Sequence, residues 1–301
     1  MNEQLATSQS TRPQAASAPA RQRRRRHGAG VYNKPGFVSY AILVVAIVGF
    51  AYPLWWSFVV ASGTNATRGE TLPFIPGPNF MANVRTVLDA IPFWKALGNS
   101  FLVSTVVTIS LVTFSTLAGY AFAKLRFRGR DKLMIFVIAT MAIPTQLGII
   151  PLFMVMRRLG WTGQIQAVIV PILVTAFGVF FMRQYLSEVI PDELIEAARI
   201  DGANQFRTFL NVAVPAARPA MAILSLFTLM MAWTDFLWPL IILNSSNPTL
   251  QTALSQLQSG YYIDYSIVLT GAVMATLPLL VLFIAAGKQL ISGIMQGAVK
   301  G

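Results

Sequence analysis

The chain is predicted to be an all-α integral membrane protein, a bundle of six transmembrane helices. Its 301 residues are 55% hydrophobic and only 11% charged, whereas ordinary soluble domains carry about 25% charged residues. Several apolar runs reach the roughly 20 residues that a helix needs to cross about 30 Å of hydrocarbon. The short, strictly alternating segments of about ten residues that would mark a transmembrane barrel do not occur.

Residues 1–30 are rich in Ser, Ala, Pro, Gln and Arg and have no apolar face to bury. They read as a disordered basic cytoplasmic tail, leaving 31–301 as the membrane domain. The run Arg21-Gln22-Arg23-Arg24-Arg25-Arg26 precedes the first apolar stretch. That stretch, near 39–61, is too long for a signal-peptide core, so it reads as an uncleaved first span anchored by the Arg run near anionic lipid. The remaining spans fall near 98–123, 132–157, 165–186, 216–243 and 267–290. The outer segment 62–97 is long, Pro-rich and of mixed polarity.

A cytoplasmic start and six crossings put both termini inside the cytoplasmic membrane. Of the 23 Lys and Arg, only Arg68, Arg85, Lys95, Arg157 and Arg158 fall on the assigned outer side, the asymmetry of the positive-inside rule. Trp55, Trp56, Trp161, Tyr261, Tyr262 and Tyr265 lie near outer ends, where amphipathic rings settle. The net charge of +12 sits mostly in the tail and one inner loop, an arrangement that suits a membrane anchor and not a nucleic-acid partner. With no Cys and one His, in the tail, the sequence provides no disulfide framework, no metal site and no cofactor.

The loop 187–215 holds the most informative segment. Pro191 suits a first helical position, and Asp192, Glu193 and Glu196 put negative charge near the positive end of the helix dipole. Gly202 tolerates the left-handed conformation that ends helices. Leu194, Ile195 and Ala198 share one face, for which the rest of the chain offers no evident cytoplasmic partner. A partner protein is therefore expected there.

This stretch resembles the EAA loop of the membrane-spanning subunits of ABC importers, E-A-A-x3-G-x9-I-x-L-P. Glu196, Ala197, Ala198, Gly202 and Pro215 match, and Val212 and Val214 stand in for Ile and Leu. The resemblance implies that these residues, with Asp201, couple the chain to an ATPase dimer. It further implies a second, non-identical permease and an extracytoplasmic solute-binding protein. The chain has no G-x4-G-K-[ST] phosphate loop, so ATP hydrolysis is expected on another subunit.

Resemblance to the carbohydrate-uptake branch extends over most of 35–301. It is carried by Asn99-Ser100, Ala118-Gly119-Tyr120-Ala121-Phe122-Ala123-Lys124-Leu125, Phe127-Arg128-Gly129-Arg130, Ile143-Pro144 and Pro151-Leu152. The ending Gly297-Ala298-Val299-Lys300-Gly301 is similar to that of the maltose-type second permease. Physically, Gly119 and Ala123 permit close helix approach. Pro144 and Pro151 free backbone groups, so a kinked third span near the bundle centre is expected.

In Trp233-Thr234-Asp235-Phe236-Leu237-Trp238-Pro239, the family often reads W-N-[DE]-F-x-x-P-L, and Thr234 replaces the usual Asn. A carboxylate at a helix centre costs about 2.5–3.5 kcal/mol, so Asp235 is expected to face a cavity or a partner. Sugar binding favours hydrogen-bonding groups beside an aromatic plane, which makes Trp233, Asp235 and Trp238 candidates for the substrate path. The alternative is that Asp235 bonds a neighbouring helix and the two Trps pack. Leu250, Leu254 and Leu257 give a short amphipathic repeat, read as an interfacial helix or a docking surface. The functional expectation is uptake of a di- or oligosaccharide. A proton- or cation-coupled secondary transporter using Asp235 is the rival, but the sequence shows no internal repeat of the kind such folds carry.

Overall fold

The computed structural model describes residues 36–64, 74–259 and 263–298, with side chains as far as 285. The tail 1–30 with its Arg run and His27, Tyr261, Tyr262 and the final Val299-Lys300-Gly301 lie outside the described residues. Five helical stretches are long and apolar enough to cross a membrane, and one bent pair makes a sixth.

α1 (Phe37–Ala61) buries only Val59 and Ala61, at its C-terminal end. The Ala61 carbonyl, one of the groups that a helix end leaves unpaired, accepts from Asn83 Nδ2 at 2.8 Å and from Thr270 Oγ1 at 3.0 Å. Within the outer segment 62–97 lies a short helix, α2 (Phe80–Ala90). α3 (Phe93–Lys124) starts five residues before the expected second span.

The third span is broken rather than kinked. α4 (Arg130–Met141) and the 3₁₀ turn leading into α5 (Ile149–Arg158) meet at 90°. Pro144 accounts for the break, because its ring clashes with the carbonyl four residues back and drives residue 143 out of the helical region. Pro151 disrupts nothing, since it is the third residue of α5, where the N–H has no intrahelical partner anyway. The expected position at the bundle centre is also corrected: Ile135, Phe136, Leu147 and Ile150 are all exposed.

The fourth span, Gln166–Val189, is likewise divided. α6 (Gln166–Ile169) passes through a 3₁₀ turn containing Pro171. α7 (Ala176–Val189) then restarts at Thr175, whose hydroxyl accepts from the Gly178 N–H at 3.2 Å. The loop that follows α7 carries α8 (Asp192–Ile200) and α9 (Gln205–Thr208). A π-turn at Phe209–Ala213 leads into α10 (Val214–Thr234), and this wide turn sits just before Pro215.

The expected continuous fifth span, 216–243, is interrupted at 235–236, and α11 (Leu237–Ile242) follows. The Pro239 ring would clash with the carbonyl of residue 235 if the helix ran through. Asp235 therefore occupies a break with extended backbone (φ −64°, ψ 125°), not a helix centre. α12 (Leu250–Gln256) and α13 (Tyr265–Ala298) complete the chain. The apolar face of α12 lies against the protein itself, with Leu250 buried and Leu254 and Leu257 packed beside Trp233, so the interfacial-helix reading is corrected.

Small residues set the central packing. A Cβ on Gly119 of α3 would lie 2.7 Å from the Met182 Cβ and 2.8 Å from the Arg183 nitrogen of α7. One on Gly178 would collide with the Ser115 hydroxyl. The inner core gathers Leu111, Tyr120, Met182, Leu186, Phe209 and Leu224 around this contact. Two further clusters fill the outer half, one around Trp233 and one around Trp238.

Candidate coupling site and transport path

α8 is short but firmly delimited. Pro191 stands one position ahead of the first helical residue, in extended conformation (φ −62°, ψ 148°). Asp192 and Glu193 occupy the first turn and Arg199 the last, both favourable to the helix dipole. Gly202 has φ +77°. Its N–H donates to the Arg199 carbonyl at 3.0 Å, and the Ala203 N–H donates to the Ala198 carbonyl at 2.9 Å. These two bonds form a Schellman cap. Asn204 then starts α9, its Oδ1 accepting from the Arg207 N–H at 2.8 Å.

The apolar face divides in a way that the sequence did not reveal. Ile195 is 4% exposed and sits in the inner core, so this chain does supply a partner for that side. Ala198 is half-buried, whereas Leu194, Glu196, Ala197 and Asp201 are exposed and Ile200 is 87% exposed. The helix thus rests on its own bundle through Ile195 and presents a mixed apolar and acidic surface outward. Phe206 adds a further exposed ring just beyond.

Lys124, at the inner end of α3, donates to the Asp192 carboxylate at 2.7 Å. That hydrogen bond, and then the charge behind it, holds the Asp192 carboxyl below its ordinary value of 3.8. On the other flank of α8, the Tyr120 hydroxyl donates to Gln205 Oε1 at 3.4 Å, and its ring lies 5.5 Å from that of Phe209. Sequence reasoning missed Lys124 and Tyr120 in these roles. Their only signal was position, an ammonium and a phenol in the last turns of a span facing an acidic loop. Pro215 is the second residue of α10 and is exposed.

The substrate-path candidates do not come together. Trp233 is 1% exposed, packed among Val87, Phe93, Leu250 and Ala275. Trp238 is buried beside Val103, Val107 and Ala167, and its Nε1 donates to the Ala167 carbonyl at 3.0 Å. Both indoles are core, which corrects their reading as path-lining planes. Asp235 is half-buried in the break, beside the backbone N–H groups of Trp238 and Phe236 at the start of α11. At this level the exposed side chains are Thr234, Phe236 and Leu237, with Phe227 and Met231 below them on α10. Thr234 keeps its hydroxyl on the Met230 carbonyl at 2.8 Å.

Comparison with known proteins shows the family to which this divided bundle belongs. Residues 112–290 match the family described as binding-protein-dependent transport system inner membrane component, and the chain belongs to that family. It is 35% identical over 272 residues to the arabinooligosaccharides transport system permease protein AraQ of Halalkalibacterium halodurans, covering 88% of this chain and 95% of that one. Identity to the lactose transport system permease protein LacG of Rhizobium radiobacter is 33% over 273 residues, with 88% and 97% covered. A bacterial ABC transporter involved in import of the acidic polysaccharide alginate has a chain of the same fold, with TM-score 0.70, 25% identity, and 83% of this chain and 94% of that one covered. The protein is a multi-pass inner-membrane transport component of the ABC importer type.

Proposed function

We propose that this chain is one of two non-identical permease subunits of an ATP-driven importer for a di- or oligosaccharide. In this reading a separate ATPase dimer binds the exposed face of α8, and an extracytoplasmic solute-binding protein delivers the sugar. Both termini lie in the cytoplasm. The observation that carries the reading is the geometry of α8: seated on the bundle through Ile195, capped at Gly202, and open to solvent at Glu196, Ala197 and Ile200. A helix fixed to the bundle on one face and free on the other transmits a push from a docked partner as a rigid-body movement.

The sugar assignment is supported by the cargoes named for the relatives and by the hydrogen-bonding and aromatic groups at the break, Thr234, Asp235 and Phe236. The rival reading, a secondary transporter that titrates Asp235, has less support, because the matched family is one of binding-protein-dependent transport.

The test is cysteine crosslinking from Ala197 and Ile200 in cells that import the sugar. Capture of an ATP-hydrolysing subunit, with loss of uptake in Glu196→Lys despite normal membrane insertion, is the expected result. Uptake that survives removal of that ATPase and collapses with a protonophore would overturn the proposal in favour of Asp235 chemistry.

A further inference from the structure

α3 differs from every other described span in lacking proline, although α13 is slightly longer at 34 residues. α3 runs 32 residues without interruption, about 48 Å at 1.5 Å per residue. α1 has Pro53, the third span Pro144 and Pro151, the fourth Pro171, the fifth Pro215 and Pro219, and α13 Pro278. Proline removes a backbone bond and bends or breaks a helix, so α3 is the one described span in which no proline can do so. It is also the most buried of the spans, lined from Ser100 to Tyr120 by core positions.

Side chains fasten both of its ends. At the inner end, Lys124 holds Asp192 ahead of α8, and Tyr120 meets Gln205 and Phe209 behind it. At the outer end, Lys95 Nζ donates to the Ser246 carbonyl at 2.6 Å. Asn99 Nδ2 donates to Asn247 Oδ1 at 3.0 Å and to the Pro248 carbonyl at 2.8 Å. The Leu250 N–H donates to the Ser100 hydroxyl at 2.8 Å. The outer loop 244–250 is thereby tied to α3. Its covalent route to the inner loop runs instead through α10, which is loosened by a π-turn at one end and broken at 235–236 at the other.

We propose that α3 is the strut linking the inner coupling helix to the outer loop 244–250, with Lys124 and Asn99 as the positioning residues that fasten its two ends. The inference rests on the coupling role of α8 proposed above. Movement imposed on α8 shifts α3 along with it, and the outer loop follows through Lys95, Asn99 and Ser100.

The chain has no cysteine, so Ser245→Cys, an exposed position in the loop, gives a single reporter. In the assembled transporter, its labelling rate by a membrane-impermeant maleimide is measured with and without ATP plus vanadate. The expected result is a severalfold change in rate on trapping, lost in Asn99→Ala and in Lys124→Ala. The exchanged pair Lys124→Asp with Asp192→Lys should restore it, which ties the response to the pairing and not to either side chain alone. If Asn99→Ala fails to assemble, Asn247→Ala removes one of the same bonds from the loop side. A trapping response that persists in both single variants overturns the strut while leaving α8 coupling intact. Absence of an ATPase from the assembled complex overturns the coupling reading itself.

Discussion

Gly202 offers the sharpest test of the coupling helix, because its role reduces to a single torsion. At φ +77° nothing lies within 4 Å of where a Cβ would stand. The cost of a side chain there is therefore conformational: about 1–2 kcal/mol for an ordinary L-residue in the left-handed region, least for Asn or Asp and greatest for a β-branched residue. A change of 1–2 kcal/mol is a factor of roughly 5–30 in a two-state ratio. The ratio at stake is that of the capped helix, with Ala203 and Gly202 bonded back to Ala198 and Arg199, to a frayed one. Uptake measured in cells, normalised to the amount inserted in the membrane, should fall in the order Gly, Asn, Ala, Val. Gly202→Asp, which is also tolerated in this region, should resemble Asn unless its charge meets the docked ATPase. Wild-type uptake in Gly202→Val would refute the argument. Equal loss in Asn, Ala and Val would refute it differently, by showing that space for the partner, and not backbone conformation, sets the requirement.

Other consequences are as direct. Gly119→Ala should force α3 and α7 apart, costing about 1–3 kcal/mol as overpacking does, and should lower the thermal midpoint of the purified protein. Trp233→Ala should cost about 3–5 kcal/mol as a core truncation, whereas Thr234→Ala and Phe236→Ala should alter the KM or kcat of transport at unchanged thermal stability. The Asp192 carboxyl is held below 3.8, so its pairing contributes fully above that value and is lost as pH falls through the lower folded one. Lys124→Met should remove this acid-range dependence, read as the change in unfolding midpoint between pH 5 and pH 3.

What could be read from the sequence divides along local and non-local lines. The spans and the capped inner helix were legible because apolar length, proline, terminal charge and glycine act within a few residues of one another. The pairing of Lys124 with Asp192 joins positions 68 residues apart, and no spacing rule reports it. The tryptophans illustrate the same limit. Trp233 and Trp238 looked like a sugar-facing pair because they flank Asp235, but Pro239 breaks the helix between them. After that break the two indoles enter separate clusters, one with α2 and α12 and the other with α5 and α6. Proline signals the break in the fifth span as it does in the third, through Pro239 and Pro144.

The breaks themselves carry a functional argument. In hydrocarbon, a backbone group without a partner costs several kcal/mol, so an interrupted span persists only where something else satisfies it. Here the Thr175 hydroxyl accepts from the Gly178 N–H and the Ser110 hydroxyl of α3 donates to the Leu173 carbonyl in the fourth span. Beyond the breaks, Trp238 Nε1 of α11 donates to the Ala167 carbonyl of α6, so the two interrupted spans are tied to each other there. α4 and α5 expose an apolar surface, as does α10 at Phe227. In the reading proposed above, a second permease packed on that surface would complete the pathway, and α3, unbroken and fastened at both ends, would keep the two sides of the membrane in step.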